Sequence, residues 1–265
     1  MQLKMVAALE FCVARDDLLE RLARYDTPTI ANTIELFEIR PRLAGYMDGR
    51  IRAAYPDLPP MVGYAATATF RAAAPADSGD VYKGLENQLG QMESLPGPAV
   101  IVFQDLDDPP VGATFGEVMC GVYRALGAAG LITSGGGRDI IQVRELRFPV
   151  FSSTTICSHA YSQTVDVGRP VRVAGLVVRP ADLLHGDANG VTSIPLEIAA
   201  DVADAAADYI AAERHVIDYV QQPGEKTVFE MLERRRAMGE AIAALRKRLS
   251  RKPRVQTGKR PAGED

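Results

Sequence analysis

The chain has 265 residues, 47% hydrophobic and 24% charged, with 34 acidic side chains against 30 basic ones and a net charge of −4. That is enough apolar material for one large core, or a core with appended helices. The acidic balance lacks the basic face that nucleic-acid binding needs, so no nucleic-acid partner is expected and an anionic substrate must be held by a local device.

Three cysteines, Cys12, Cys120 and Cys157, form no C-x-x-C pair, and an odd count makes no disulfide framework, so they read as reduced thiols in a cytoplasmic protein. The opening stretch MQLKMVAALEFCVARDD has no long apolar core or cleavage site. No run of about 18 apolar residues occurs, so neither a signal peptide nor a membrane span is expected.

Residues 15–38 read as a broken helix. DDLLERLARY has helical apolar spacing with Asp16 as cap, and Thr27-Pro28 opens TIANTIELF. MVGYAATATFRAA alternates as a strand does, and SGDVYKGLENQLGQM follows as a helix. After the Pro96-Gly97-Pro98 turn, AVIVFQD is a short apolar run typical of a buried strand. DLDDPP is a loop, and Asp105, Asp107 and Asp108 read as a solvated acidic cluster without the EF-hand pattern. GEVMCGVYRALGAAG is helical up to a glycine stop. LITS is a strand that runs into the glycine-rich turn GGGRD, residues 139–147 look helical, and FPVFSSTT is another strand. RPVRVAGLVVRPADLLHGDANGVTSIP gives several strands separated by turns, with Asp182 and Asp187 as turn or cap residues. From Leu196 to about Val220 the chain becomes an Ala-rich helix, another helix follows Pro223-Gly224, and the end is basic, polar and rich in Pro and Gly. The order predicts an α+β or layered α/β core over 1–195, helices over 196–248 and a disordered basic tail over 249–265.

The chemistry is concentrated between Gly112 and Asp139. Gly116-Glu117 opens a predicted helix, where unpaired backbone N–H groups and a partial positive charge favour an anion, and glycine permits close approach. A substrate carboxylate would bind the amides of Gly116, Glu117, Val118 and Met119. Arg138 and Asp139 leave a strand end together. Arginine's planar fork suits a carboxylate or enolate oxygen, and an aspartate is a hard ligand for Mg²⁺ or Mn²⁺. A helix and its returning strand bring Glu117 to the same edge, so that it faces the metal directly or through water. Singly, each part is also what ordinary capping, a surface ion pair or a flexible turn produces.

Taken together, G-E, twenty residues, R-D, then FPVF and the block V-x-V-A-G-L-V-V-R-P-A-D-L-L-H-G-D-A-N-G-V resemble the RraA-like family over roughly residues 20–200. That family contains 4-hydroxy-4-methyl-2-oxoglutarate aldolases, class II pyruvate aldolases of this fold, and relatives that only inhibit ribonuclease E. The resemblance implies a layered β/β/α fold, a divalent metal, and trimers or hexamers with sites between subunits. It implies that Asp139 ligates the metal, that Arg138 binds the oxo-acid end and stabilises the enolate, and that Glu117 acts through a water. It also implies a further metal-shell glutamate from a neighbouring subunit's C-terminal helix, and counting 18 positions on from Pro195 reaches Glu213. The inhibitors lack the aspartate after arginine, which this chain keeps.

Two departures stand out. Ala181 occupies a turn position where glycine is common, tolerable if its φ is negative, and SSTTICSHAYSQ replaces the commoner Ala-Arg-Gly run at the far end of the substrate. His159 in that segment is a candidate distal contact. His185 and His215 read as structural and solvated, and no H-x-x-x-H pair points to zinc. No lysine lies in the motif, which disfavours a Schiff-base aldolase. The expected reaction is retro-aldol cleavage or oxaloacetate-type decarboxylation of a small 2-oxo acid through a pyruvate enolate. The alternatives are a non-catalytic regulator binding a ribonuclease or other protein, and a lyase or hydratase acting on a larger or sugar-derived oxo acid.

Overall fold

The computed structural model describes residues 17–75 and 84–250; the expectations for Cys12, Asp16, residues 78–83 and the tail beyond 250 fall outside them. The chain forms two compact units, Met1–Pro28 with Arg42–Ile194 and Thr29–Pro41 with Pro195–Asp265.

The first unit is built on an eight-stranded sheet. Its path runs β1 (Arg52–Ala53), β7 (Val150–Ser152), β5 (Gly130–Thr133), β3 (Ala99–Asp105), β2 (Met61–Arg71), β12 (Leu183–Asp187), β13 (Gly190–Ile194), with β9 (Gln163–Val167) also on β2. The central pairs β2–β3, β3–β5 and β5–β7 are parallel. β3 shows why AVIVFQD carries no polar alternation: Ile101 and Phe103 enter one core with Leu131, Val143 and Phe148, while Val100 and Val102 enter another with Val171, Val173 and Val178. A strand covered on both faces is apolar on both. Thr27-Pro28 opens α1 (Thr27–Glu35) as expected; the first core is roofed by α2 (Leu85–Glu93), α3 (Glu117–Ala125) and α4 (Ile140–Glu145), the second by the β10–β11 hairpin (Val171–Val173, Leu176–Val178). The layers are therefore hairpin, sheet and helices, the mixed α/β arrangement expected.

A second sheet was not visible beforehand. It consists of three short parallel strands, β4 (Ala113–Phe115), β6 (Gly136–Gly137) and β8 (Thr154–Thr155). The Gly-Gly-Gly run is thus partly strand and not only a turn. Gly137 sits there because a Cβ would run into the Phe115 ring. FPVFSSTT, read as one strand, divides between β7 in the large sheet and β8 in the small one.

Ala181 has φ 64, so the condition of a negative φ is not met. Arg179 N donates to Asp182 Oδ2 at 2.7 Å and Ala181 N to Ala65 O at 2.9 Å, and these bonds hold the turn in a left-handed conformation that costs a non-glycine residue about 1 kcal/mol.

In the second unit, α5 (Ala199–Gln221) buries Val202, Ala203, Ala205, Ala206 and Ala212, and α6 (Val228–Leu249) buries Leu245 and Leu249. Thr227 caps α6 by accepting from Glu230 N at 3.2 Å and donates to Glu230 Oε2 at 2.7 Å. Tyr219 of α5 donates to the same Oε2 at 2.9 Å. Among the described residues no helix is long and apolar enough to cross a membrane.

Candidate active site

The site is assembled by the register of the small sheet. Phe115 on β4 pairs with Gly137 on β6, and Arg138 N donates to Phe115 O at 3.0 Å. The residues that follow each strand therefore leave side by side, Gly116 beside Arg138 and Glu117 beside Asp139. The strand that delivers Arg138 is β6, not LITS, which is β5 of the large sheet.

Both chains then turn into helices, and the two turns are tied together. Asp139 precedes α4 at φ 55, ψ 40, a left-handed conformation that aspartate tolerates better than most residues. Its Oδ2 accepts from Glu117 N at 3.0 Å, so it caps α3 across 22 residues of chain where Gly116 supplies no side-chain cap. Arg138 Nε lies 3.8 Å from the same oxygen, with both side chains a little over one-third exposed. A Cβ on Gly116 would stand 2.5 Å from Asp139 Oδ2 and 3.2 Å from Arg138 Cγ and Nε. Glycine is needed here for space, since its φ of −156° suits any residue.

Arg138 and Asp139 open onto a cavity of about 170 Å³ that Gly116, Val118, Met119 and His159 also line. Six of the expected residues thus share one hollow. The Glu117 amide is already held by Asp139, so the helix-end donors left for a ligand are those of Gly116, Val118 and Met119; the Glu117 side chain is exposed. His159 Nδ1 donates to Ala160 O at 2.7 Å, a carbonyl that can only accept. Glu213 is half-buried on α5 of the second unit. The cavity walls hold residues that sequence reasoning missed: Phe70 and Phe103, edge to face at 6.2 Å, with Gln88, Tyr123, Ser162 and Thr164. Gln88 occupies an apolar-stripe position between Leu85 and Met92 of α2, and a polar residue there was the available signal.

Cys120, fully buried on α3, has its thiol pushed up to about 12 by burial and, secondarily, by the Asp139 carboxylate; a thiol so held is no nucleophile at neutral pH. His185 is buried, with Nδ1 2.9 Å from Thr27 Oγ1 and Nε2 3.3 Å from Leu22 O. Burial lowers its pKa, and it is a neutral structural bridge. Asp187 is likewise structural, accepting from Thr27 N at 2.8 Å and Asn189 N at 2.8 Å.

The acidic loop differs from its reading as solvated. Asp107 Oδ2 clamps the amides of Ala72 and Ala73 at 2.6 and 2.9 Å. Asp105 closes β3 half-buried, and its Oδ2 has no hydrogen-bond partner among the described residues. Burial first, with the Asp107 charge adding, raises its carboxyl to about 6. The folded state therefore binds this proton more tightly than an unfolded chain does, and the charged form is a burden above pH 6 that is relieved as pH falls toward 4. Asp105→Asn is expected to gain about 1 kcal/mol at pH 7.5, after discounting for solvent reaching a half-exposed group. That gain should vanish near pH 4 in paired thermal melts. A variant less stable than the parent at pH 7.5 would contradict it.

Comparison with known proteins agrees with this architecture. A family model described as RraA-like, Aldolase/RraA, matches residues 27–192. A protein of Halalkalibacterium halodurans named "Putative 4-hydroxy-4-methyl-2-oxoglutarate aldolase" is 34% identical over 133 residues, 48% of this chain and 62% of that protein. An uncharacterized protein of Methanocaldococcus jannaschii is 30% identical over 93 residues, 34% of this chain and 44% of the other. The chain thus spans less than two thirds of both curated relatives. Among solved structures, an uncharacterized protein from Pseudomonas syringae pv. tomato superposes with TM-score 0.65 at 22% identity, covering 83% of this chain and 93% of that one. Streptomyces coelicolor RraAS2, described as an unusual member of the RNase ES inhibitor RraA family, gives 0.60 at 24% identity, covering 78% and 96%. At these identities the superpositions speak for the fold alone.

Proposed function

Because the chain belongs to the RraA-like family, we propose that it is a divalent-metal-dependent lyase that cleaves the carbon–carbon bond next to a 2-oxo acid by way of a pyruvate enolate. The observation that carries the reading is the junction itself. One carboxylate, Asp139, is fixed by a helix-end amide with an arginine 3.8 Å away at the mouth of a small cavity.

The residues present fit a hard cation. Both recorded contacts of Asp139 fall on Oδ2, and among the described residues Oδ1 receives no hydrogen bond. Among those residues no three His, Cys, Asp or Glu side chains gather into a cluster. A single fixed carboxylate suits Mg²⁺ or Mn²⁺, which retain much of their water, and not zinc, which takes closed sets of nitrogen and sulfur ligands. Asp139 would hold the ion, with Glu117 acting through water and Glu213 from a neighbouring copy of the chain in a trimer or hexamer. When bound, the ion supplies Lewis-acid stabilisation of charge growing on the 2-oxo oxygen.

The chain's own groups do the rest. The Val118 and Met119 amides, at the positive end of α3, receive the substrate carboxylate. Arg138 pairs with the oxo-acid oxygens and binds them more tightly as enolate charge develops, which is what lowers the barrier. In retro-aldol cleavage the C3–C4 bond breaks, the C4 hydroxyl loses its proton, and C3 gains one. Glu117 orders the water that relays it. In oxaloacetate decarboxylation, carbon dioxide leaves in place of the carbonyl fragment that the C4 hydroxyl becomes.

The test is pyruvate release from 4-hydroxy-4-methyl-2-oxoglutarate and oxaloacetate with added Mg²⁺ or Mn²⁺, coupled to NADH oxidation by lactate dehydrogenase. Release is expected with either metal and should be abolished by a chelator. No release from any 2-oxo acid, no metal binding by calorimetry and copurification with a nuclease would instead establish the regulator reading.

A further inference from the structure

Gln88 is 1% exposed, yet it lines the cavity. Its Oε1 accepts from the Tyr123 hydroxyl at 2.6 Å. That phenol is itself buried, and a buried O–H must donate; this turns Oε1 toward Tyr123 and makes Nε2 the other end of the amide. Nε2 is buried with no hydrogen-bond partner among the described residues. Two N–H donors are thus held out of water in a side chain that borders a substrate-sized hollow, an arrangement whose cost is recovered when an acceptor arrives.

The rest of the wall narrows what that acceptor is. Among the described residues lining the cavity the only Lys, Arg, Asp or Glu side chains are Arg138 and Asp139, both of the oxo-acid end, and the one imidazole, His159, has its Nδ1 on the Ala160 carbonyl. Besides Gln88, the remaining polar lining includes the Ser162 and Thr164 hydroxyls, and Phe70 and Phe103 form apolar walls. A second carboxylate buried beside Gln88 would find no lysine and no second arginine in the lining to offset its lost hydration. A hydroxyl or carbonyl oxygen would meet the amide N–H groups at no such cost.

We propose that Gln88 Nε2 binds an uncharged oxygen at the far end of the substrate, so that this chain prefers 4-hydroxy-2-oxo acids with a neutral, oxygen-bearing tail over those ending in a second carboxylate. The inference rests on the lyase reading of the same site and names its substrate class. The products are pyruvate and a neutral hydroxyaldehyde. The C3–C4 electron pair passes into the enolate, the C4 hydroxyl becomes the aldehyde carbonyl, and its proton is balanced by the one taken up at C3. No oxidant or reductant is required.

Three substrates of equal chain length test it on the full chain with Mg²⁺: 4,5-dihydroxy-2-oxopentanoate, 4-hydroxy-2-oxopentanoate and 4-hydroxy-2-oxoglutarate. They end in hydroxymethyl, methyl and carboxylate. The parent is expected to cleave the hydroxymethyl substrate with kcat/KM about tenfold above each of the others, the effect of one hydrogen bond to a buried donor. Gln88→Met, similar in shape but without donors, should collapse the hydroxymethyl-over-methyl preference to near unity, chiefly through KM. The ratio is internal to each protein, so a general loss of activity does not mimic it. Where that variant fails to fold, the parent's selectivity decides. Equal or faster cleavage of the carboxylate substrate, or a preference unchanged in Gln88→Met, overturns the inference. Pyruvate from oxaloacetate but from none of the three aldols overturns it while sparing the decarboxylase reading, and pyruvate from no substrate overturns both.

Discussion

Asp139→Asn is expected to cut metal-dependent pyruvate release by about 10²–10³-fold while leaving the thermal melt close to the parent's. The two properties separate because the proposed metal role gives Asp139 a second task beside its cap. As a cap it needs only an oxygen to accept from Glu117 N at 3.0 Å, and the asparagine carbonyl provides one. Asparagine also tolerates the φ of 55°. As a ligand and as the counter-charge beside Arg138 it needs the negative charge, which asparagine lacks. Asp139→Ala removes both functions and adds left-handed strain, so it should lose activity to the same extent and also about 2 kcal/mol of stability. Steady-state rates and melts on the two variants give the comparison. An Asp139→Asn protein that turns over at the parent rate would end the assignment of this residue to the metal.

Gly116→Ala should have the second largest effect, about 10²-fold on kcat/KM, with weaker metal binding by calorimetry and a folded protein by circular dichroism. The reasoning is steric. The backbone at φ −156° accepts alanine, but the new methyl would stand 2.5 Å from Asp139 Oδ2 and 3.2 Å from the Arg138 side chain. The Asp139 carboxylate is the part that can yield, since it is flexible and about one-third exposed. Yielding means giving up the Glu117 amide and with it the placement of the carboxylate proposed to meet the metal. Parent-like activity would show that the carboxylate has room the geometry denies it.

The meeting of the Arg138-Asp139 pair with the glycine-led helix start is legible in the sequence, and other features are not. Arg138 and Asp139 stand out because a charged pair after a strand, at a set distance from a glycine-led helix, combines several unusual features. β3 is readable because five consecutive apolar residues, AVIVF, have few uses other than a strand buried on both faces. β6 has only two glycines and hence no side-chain pattern to betray a strand, so the small sheet leaves no trace in the sequence and LITS looks like the strand that delivers the site. Asp105 and Asp107 look alike in sequence, yet one is half-buried with an unpartnered oxygen while the other clamps two amides. That difference depends on which residues fold over them. Gln88 stays hidden for the same reason, because its meaning lies in Tyr123, 35 positions away.

The pairing of Phe115 with Gly137 bears on how relatives of this chain should be sought. What places Glu117 next to Asp139 is one rung of a two-strand ladder, and the 22-residue interval is merely the contour length of α3, its turn, β5 and the step through β6. A homologue whose turn at 126–129 had gained or lost residues would keep the junction intact while breaking any pattern written as a fixed gap. Searches for proteins with this chemistry are better keyed to the two ends of the loop, a glycine-led helix start and an arginine–aspartate strand exit, with the distance between them left free.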